Sequence, residues 1–440
     1  MQSLNFSKSR SLFEFGMTLM PGGVSSPGRA FSEVEMPPLI ISSASGPYIY
    51  DVDGNRYTDF INGLGPNILG HADPRIAAAV NEQFARGTVY GACSEVEYQL
   101  AERIVGSSPS VEQIRFTCSG TEAVMSAVRL ARAHTLRSIV VKFKGCYHGH
   151  ADTMLALGSK PHMRASKSPE RQGLSSNALH EVMAFPYNDL DDLRDTFRER
   201  GADIAAVIVE PVATNMGLVP PAPEFLEELR RLCTNHGALL IFDEVVSGFR
   251  LCYGSVSNVL GIVPDLITFG KIIGGGTPIG AFGGRRDLMT LLVEPGGVFQ
   301  GGTFAGNAMS MAAGLRTLDI LQNEGVYDLL EKLGALYEEI TMDGLKRNDL
   351  PFGFVRRGSL FSYVLVPGLT ACTSFTDVER QDKALFSRLH RSMATRGYLF
   401  PPTIEEPAFI SAAHTEKEIT QSANAAIEIL AELYSSRSSS

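Results

Sequence analysis

Asp243 and Lys271 are the residues on which a chemistry can be hung. Asp243 closes the apolar run 239–242, and Lys271 follows the run 266–269 after one glycine. Both runs are brief, nearly continuous in apolar residues and bounded by breakers, the pattern of buried parallel strands. Neither charge has a packing reason to be there. In an open α/β sheet the carboxyl ends of the strands face the crevice that binds ligands. A lysine in that crevice, near an acid able to keep a heterocyclic nitrogen protonated, outlines a pyridoxal-phosphate site.

Other residues supply parts of such a site. Ser119, Gly120 and Thr121 come straight after the strand IRFT and open the helix EAVMSAVRLARAH. A small-residue turn at a helix N-terminus is an anion site, through free backbone N–H groups and the helix dipole, or simply a good N-cap. Tyr147 leaves the strand IVVKF where it can stack on a flat group. His148, His150 and Asp152 invite a metal reading, but no second cluster with ligand spacing accompanies them. Glu210 and Asn215, in IVEPVATNMG, close another strand of the same sheet and belong on its crevice side. The loop GGTFAGN, residues 301–307, is a second candidate anion cradle. Arg29 sits among prolines and glycines in PGGVSSPGRAF, and its plain reading is a solvated arginine. ALLIFDEV also has the look of a Walker B strand, but the chain contains no GxxxxGK(S/T) loop to serve it.

The elements that must position these residues alternate. Strands are expected at 114–117, 139–143, 205–209, 239–242, 266–269 and 279–282, with helices such as 122–134, 190–200 and 224–235 between them. That order gives a largely parallel sheet covered on both faces. A helix near 9–20 and a hairpin turning at Asp53-Gly54 precede it. After residue 318 come long helices and short strands at 360–365 and 408–411, ending in a helix over 416–434. The division expected is 1–62, joining a small C-terminal domain at 319–440, and a large domain at 63–318.

With 44% hydrophobic and 20% charged residues, the 440-residue chain reads as an ordinary globular enzyme. Its net charge of −9 comes from dispersed acids, without the cationic stripe that nucleic-acid binding needs. Six cysteines without a CxxC pair point to reduced thiols and a cytoplasmic protein. No segment resembles a signal peptide or approaches the roughly 18 apolar residues of a membrane span.

The string of motifs, from PGGVSSPGRAF through GPNILGHADP, RFTCSGTEAVMSAVRLAR, KFKGCYHGHAD, VIVEPVATNMG and LLIFDEVVSGFR to PDLITFGKIIGGGTPIGAFGGR, GGTFAGNAMSMAAG and FISAAHT, resembles the class III aminotransferases of fold-type I. The resemblance implies an α/β fold with a mainly parallel seven-stranded sheet, a smaller α+β domain from both terminal segments, and pyridoxal or pyridoxamine phosphate as cofactor. It implies that Lys271 is the Schiff-base lysine and Asp243 the ring-nitrogen partner. Val245 and Tyr147 would cover the ring faces, with His148 also at the cofactor. Ser119, Gly120 and Thr121 would hold the phosphate, Asn215 the ring hydroxyl, and Thr303 would reach the phosphate from the other subunit of a homodimer. Ser26, Arg29, Glu406 and Ser159 would contact a small carboxylate substrate. Within the family the pattern points first to the aminomutase branch, which converts glutamate 1-semialdehyde to 5-aminolevulinate through a bound diamine. An intermolecular aminotransferase is the alternative. Two places depart from the aminomutase pattern: Leu64 stands where that branch carries tryptophan, and the 158–181 lid is basic and polar rather than apolar.

Overall fold

A computed structural model describes residues 4–157 and 173–438. The chain divides into two compact units. A terminal unit comprises Met1–Pro74, Gly325–Cys372 and Thr376–Ser440; a central unit comprises Arg75–Glu324 and Thr373–Phe375.

The terminal unit carries two small sheets. In the first, β1 (Ile41–Ser45), β2 (Tyr48–Asp51) and β3 (Arg56–Asp59) run antiparallel, and β13 (Tyr398–Leu399) joins β3 in parallel. The β2–β3 turn is held by the Asp51 carboxylate, which accepts from Asp53 N (3.0 Å) and Asn55 N (2.8 Å). Asp53 in turn accepts from Lys8 N and Ser9 N at the start of the Ser7–Leu19 helix, fixing that helix to the turn. The second sheet is β11 (Gly353–Arg357), β12 (Leu360–Val364) and β14 (Ala408–Phe409), all antiparallel. Its core is aromatic: Phe361 stacks on Tyr337 with centroids 4.1 Å apart, Phe60 meets both edge-on, and the Tyr337 and Tyr363 hydroxyls lie 3.0 Å apart.

The central unit is built on one seven-stranded sheet. Its strands are β4 (Gln113–Thr117), β5 (Ile139–Lys144), β6 (Val182–Pro186), β7 (Ile204–Val209), β8 (Leu239–Glu244), β9 (Leu266–Gly270) and β10 (Gly280–Gly284). They lie in the order β4-β10-β9-β8-β7-β5-β6, and β10 alone runs against its neighbours. Every residue of β7, β8 and β9 is buried, which is why their sequences are mainly apolar and why the polar residues among them, Asp243, Glu244 and Thr268, stand out. The Gly120–Thr135 helix lays Ala123, Val124, Ala127, Val128 and Ala131 over this sheet, against Val140, Ala206, Ile208 and Ile241. Behind β9, the Ala308–Asn323 helix packs on the turn Lys271–Gly274 through Gly314, where a methyl group would overlap the Ile273 carbonyl oxygen. Among the described residues, no helix is long and apolar enough to cross a membrane.

Candidate active site

The carboxyl ends of five strands of the central unit deliver the candidate residues to one edge of the sheet. Ser119 and Gly120 follow β4, Tyr147 and His148 follow β5, Asn215 follows β7, Asp243 lies near the end of β8, and Lys271 follows β9. Successive strand residues face opposite sides, and this separates the two neighbouring acids of β8. The Asp243 carboxylate accepts from Thr268 Oγ1 (2.9 Å) and Val245 N (3.2 Å) on Oδ1, and Oδ2 lies 2.8 Å from His148 Nδ1. Glu244 turns the other way, accepting from Ser255 Oγ (2.5 Å) and Val256 N (2.7 Å), and burial pushes its carboxyl up to about 7.

Because a carboxylate oxygen accepts here, His148 donates through Nδ1 and leaves Nε2 on the far side of its ring. That Nε2 is buried and has no partner among the described residues. Lys271 adopts φ 49°, the left-handed region, on the turn directly after β9. A lysine held there costs on the order of 1–3 kcal/mol, a strain that collects at functional positions.

Glycines let the loops close on one another. A Cβ on Gly120 would lie 2.9 Å from Val245 Cγ1, and one on Gly149 would lie 2.6 Å from Thr121 Oγ1. The turn after β4, the loop after β5 and the segment after β8 therefore meet at these positions. Ser119 caps the helix, its Oγ accepting from Glu122 N (3.3 Å), while Glu122 Oε2 accepts from Cys118 N (2.8 Å). The capping reading of this turn holds, and the first-turn N–H groups that a cap leaves unpaired remain suited to an anion.

The central unit thus brings together Ser119, Gly120, Thr121, Tyr147, His148, Asn215, Asp243, Val245 and Lys271 at one sheet edge. Thr303 lies in an exposed loop whose flanking Phe299 and Phe304 are 80% and 60% exposed. Ser26, Arg29 and Glu406 belong to the terminal unit. Ser26 and Arg29 are exposed at the short turn Pro27–Ala30; Glu406 is half-buried beside a cavity of about 30 Å³ that His390 and Phe400 also line. Ser159, with most of the 158–181 lid, lies outside the described residues. His150 and Asp152 are exposed, and among the described residues no group of three metal-binding side chains forms. Thr268 was missed from sequence, although a lone polar residue in the apolar run LITFG was a signal: it pairs in register with Asp243.

The donor set suits a flat, anionic, ring-bearing cofactor. It offers a fixed carboxylate for a ring nitrogen, a lysine beyond it, and a helix N-terminus for a phosphate. The sequence pattern described as Aminotransferase class-III matches residues 30–365. Among solved structures, an omega-transaminase from Sphaerobacter thermophilus is 32% identical, covering 97% of this chain and 99% of its own, with a TM-score of 0.87. A transaminase with PLP bound is 29% identical over 99% of both chains, with a TM-score of 0.86. A glutamate-1-semialdehyde-aminomutase from Pseudomonas aeruginosa PAO1 is 26% identical over 97% of this chain and 94% of its own, with a TM-score of 0.82.

Proposed function

Because the chain belongs to the class-III aminotransferase family, we propose that this enzyme uses pyridoxal phosphate to move an amino group between two separate substrates. The observation that carries the reading is Asp243, a buried carboxylate fixed by His148, Thr268 and the Val245 backbone, on the strand next to the one that ends at Lys271. Bound there, the cofactor supplies an aldehyde that takes up an amine and a protonated ring that draws electrons from the carbon being deprotonated.

The chain's own residues do the rest. Asp243 holds the ring nitrogen's proton in place, and His148 and Thr268 keep the carboxylate from turning away. Val245 and Tyr147 would confine the ring from its two faces. Gly120 and Thr121 offer backbone N–H groups to the phosphate. Lys271 would hold the cofactor, and its Nζ would take the proton from the substrate carbon and hand it to the cofactor carbon. Ser26, Arg29 and Glu406 are assigned to the substrate carboxylate and amine.

Transfer between separate substrates is favoured over the aminomutase reaction because the omega-transaminase is 32% identical and the aminomutase 26%. Leu64 in the tryptophan position and the polar lid sequence weigh the same way. The aminomutase reading keeps the support of the motif string, which points first to that branch. A screen of amino compounds with and without a second carbonyl substrate separates the two. Turnover only when both donor and acceptor are present is expected. Conversion of glutamate 1-semialdehyde with no added donor would establish the aminomutase instead.

The working unit in this proposal is a homodimer in which Thr303 completes the phosphate site of a second copy. The exposed Phe299 and Phe304 beside it form an apolar patch suited to burial against such a copy. Mixing Lys271→Ala with Thr303→Ala protein tests this, at cofactor levels that saturate the wild type but not Thr303→Ala. If Thr303 crosses, each mixed dimer regains one intact site and random exchange restores roughly a quarter of wild-type activity. If Thr303 serves its own chain, no site is intact and nothing returns.

A further inference from the structure

The family reading leaves one buried acid of the crevice without a task. Glu210 follows β7, is 3% exposed, and takes four hydrogen bonds. Oε1 accepts from Tyr147 N (2.8 Å) and Asn215 Nδ2 (2.9 Å); Oε2 accepts from Thr214 N (2.8 Å) and Thr214 Oγ1 (3.0 Å). A lone helix cap or turn needs no such arrangement, because the partners come from two loops, one after β5 and one after β7.

We propose that Glu210 is a positioning residue for the ring crevice, which locks the Asn215 amide in one orientation and pins the Tyr147 backbone with the same carboxylate oxygen. The argument is one of donors and acceptors. An ionised carboxylate only accepts, so the Asn215 amide must present nitrogen to it; flipped, Oδ1 would face another oxygen. The amide nitrogen carries two hydrogens. With one held by Glu210, the other keeps a fixed direction and is left for a ligand oxygen. Tyr147 N shares Oε1, so a displacement of either loop is felt by the other. Burial pushes the Glu210 carboxyl up, and His148 together with the Thr214 and Tyr147 N–H groups works against that push. Removing the carboxylate strands these donors in a buried place.

This inference rests on the pyridoxal-phosphate reading, and the test keeps the two apart. Apoprotein of the wild type, Glu210→Gln, Asn215→Ala and the double variant is titrated with pyridoxal phosphate, following visible absorbance for Kd and visible circular dichroism for ring orientation. Glutamine cannot replace the carboxylate in either rotamer, since a backbone N–H faces each oxygen. Glu210→Gln and Asn215→Ala should each raise Kd about tenfold, the order expected for one lost or stranded buried hydrogen bond, and should reduce the dichroic band alike. The double variant should lose clearly less than the sum of the two single effects, because the part that Glu210 exerts through the Asn215 amide is counted in both. Glu210→Asp, which keeps the charge but shortens the reach, serves if Glu210→Gln does not fold, and should weaken binding as Asn215→Ala does. Additive effects in the double variant, or Glu210 variants that bind and rotate light as the wild type does, would overturn the inference. A wild type that takes up no cofactor at all would sink the underlying reading instead.

Discussion

A carboxylate that accepts three hydrogen bonds is not replaceable by an amide of the same shape. In Asp243→Asn the new NH₂ must face either the His148 Nδ1 proton or the Thr268 and Val245 donors, and each choice sets donor against donor. Losing a buried charge from its partner costs about 3–5 kcal/mol, on the order of a hundred- to a thousandfold or more in rate. Asp243→Asn should therefore lose that much kcat with little change in substrate KM, and near-normal turnover would remove Asp243 from its role. Half-buried Lys271 has a competitor in Lys142, a fully buried amine, whose ammonium burial pushes down to about 8 and whose Nζ donates to the Met154 carbonyl. Borohydride reduction of the loaded enzyme should leave the cofactor's mass on the peptide containing residue 271 and none on Lys271→Ala; a label on Lys142 would contradict the assignment. Both Asp243 and Lys271 were legible because each breaks an apolar run with a charge. What sequence withheld was the support: Thr268 meets Asp243 only through strand register, and Glu210 meets Tyr147 only because two loops converge.

At the scale of elements, six of the central strands were readable from the alternation of short runs, turns and helices, and the seventh was not. β6, VMAFP, is a half-buried edge strand ending in proline, and five such residues after a short polar helix carry no period of their own. β10 was expected as a strand, but its sequence GAFGG concealed why it is built of glycine. A methyl on Gly280 would overlap the Ser119 carbonyl oxygen, and one on Gly284 the Asp265 carbonyl oxygen. The same reasoning gives the Ala308–Asn323 helix a measurable part in the site, since it supports the Lys271 turn from behind. Gly314→Ala should force the helix off Ile273 or distort the turn, an overpacking cost of about 1–3 kcal/mol. The expected result is a lowered Tm together with a lowered kcat, since the turn that moves is the one carrying Lys271. A full-activity variant with wild-type Tm would show that the helix yields without disturbing the turn.

For the molecule as a whole, the two units carry buried titratable groups of opposite sense. In the terminal unit His390 and His414 are both pushed down to about 4, chiefly by burial. Their folded values lie below the ordinary histidine value, so the unfolded chain binds more protons as the pH falls from about 6.5 to 4. Each contributes stability that is full above that window and lost through it, up to about 3 kcal/mol per histidine. In the central unit Glu244 is pushed up to about 7, first by burial. Its folded value lies above the unfolded one, so its contribution is full in acid and lost as the pH rises from about 4.5 to 7. The general charge does not mimic the histidine effect at the start of acidification, because the chain begins at −9 and the first protons relieve self-repulsion. His390→Phe keeps an aromatic ring beside Phe31 and Phe386 and removes one titrating group. It should flatten the fall of Tm below about pH 6, while Glu244→Gln should gain on the wild type between about pH 4.5 and 7 and hold that gain above it. Should either variant track the wild type at every pH, the group it replaces does not titrate between the folded and unfolded states, and the opposition between the units fails on that side.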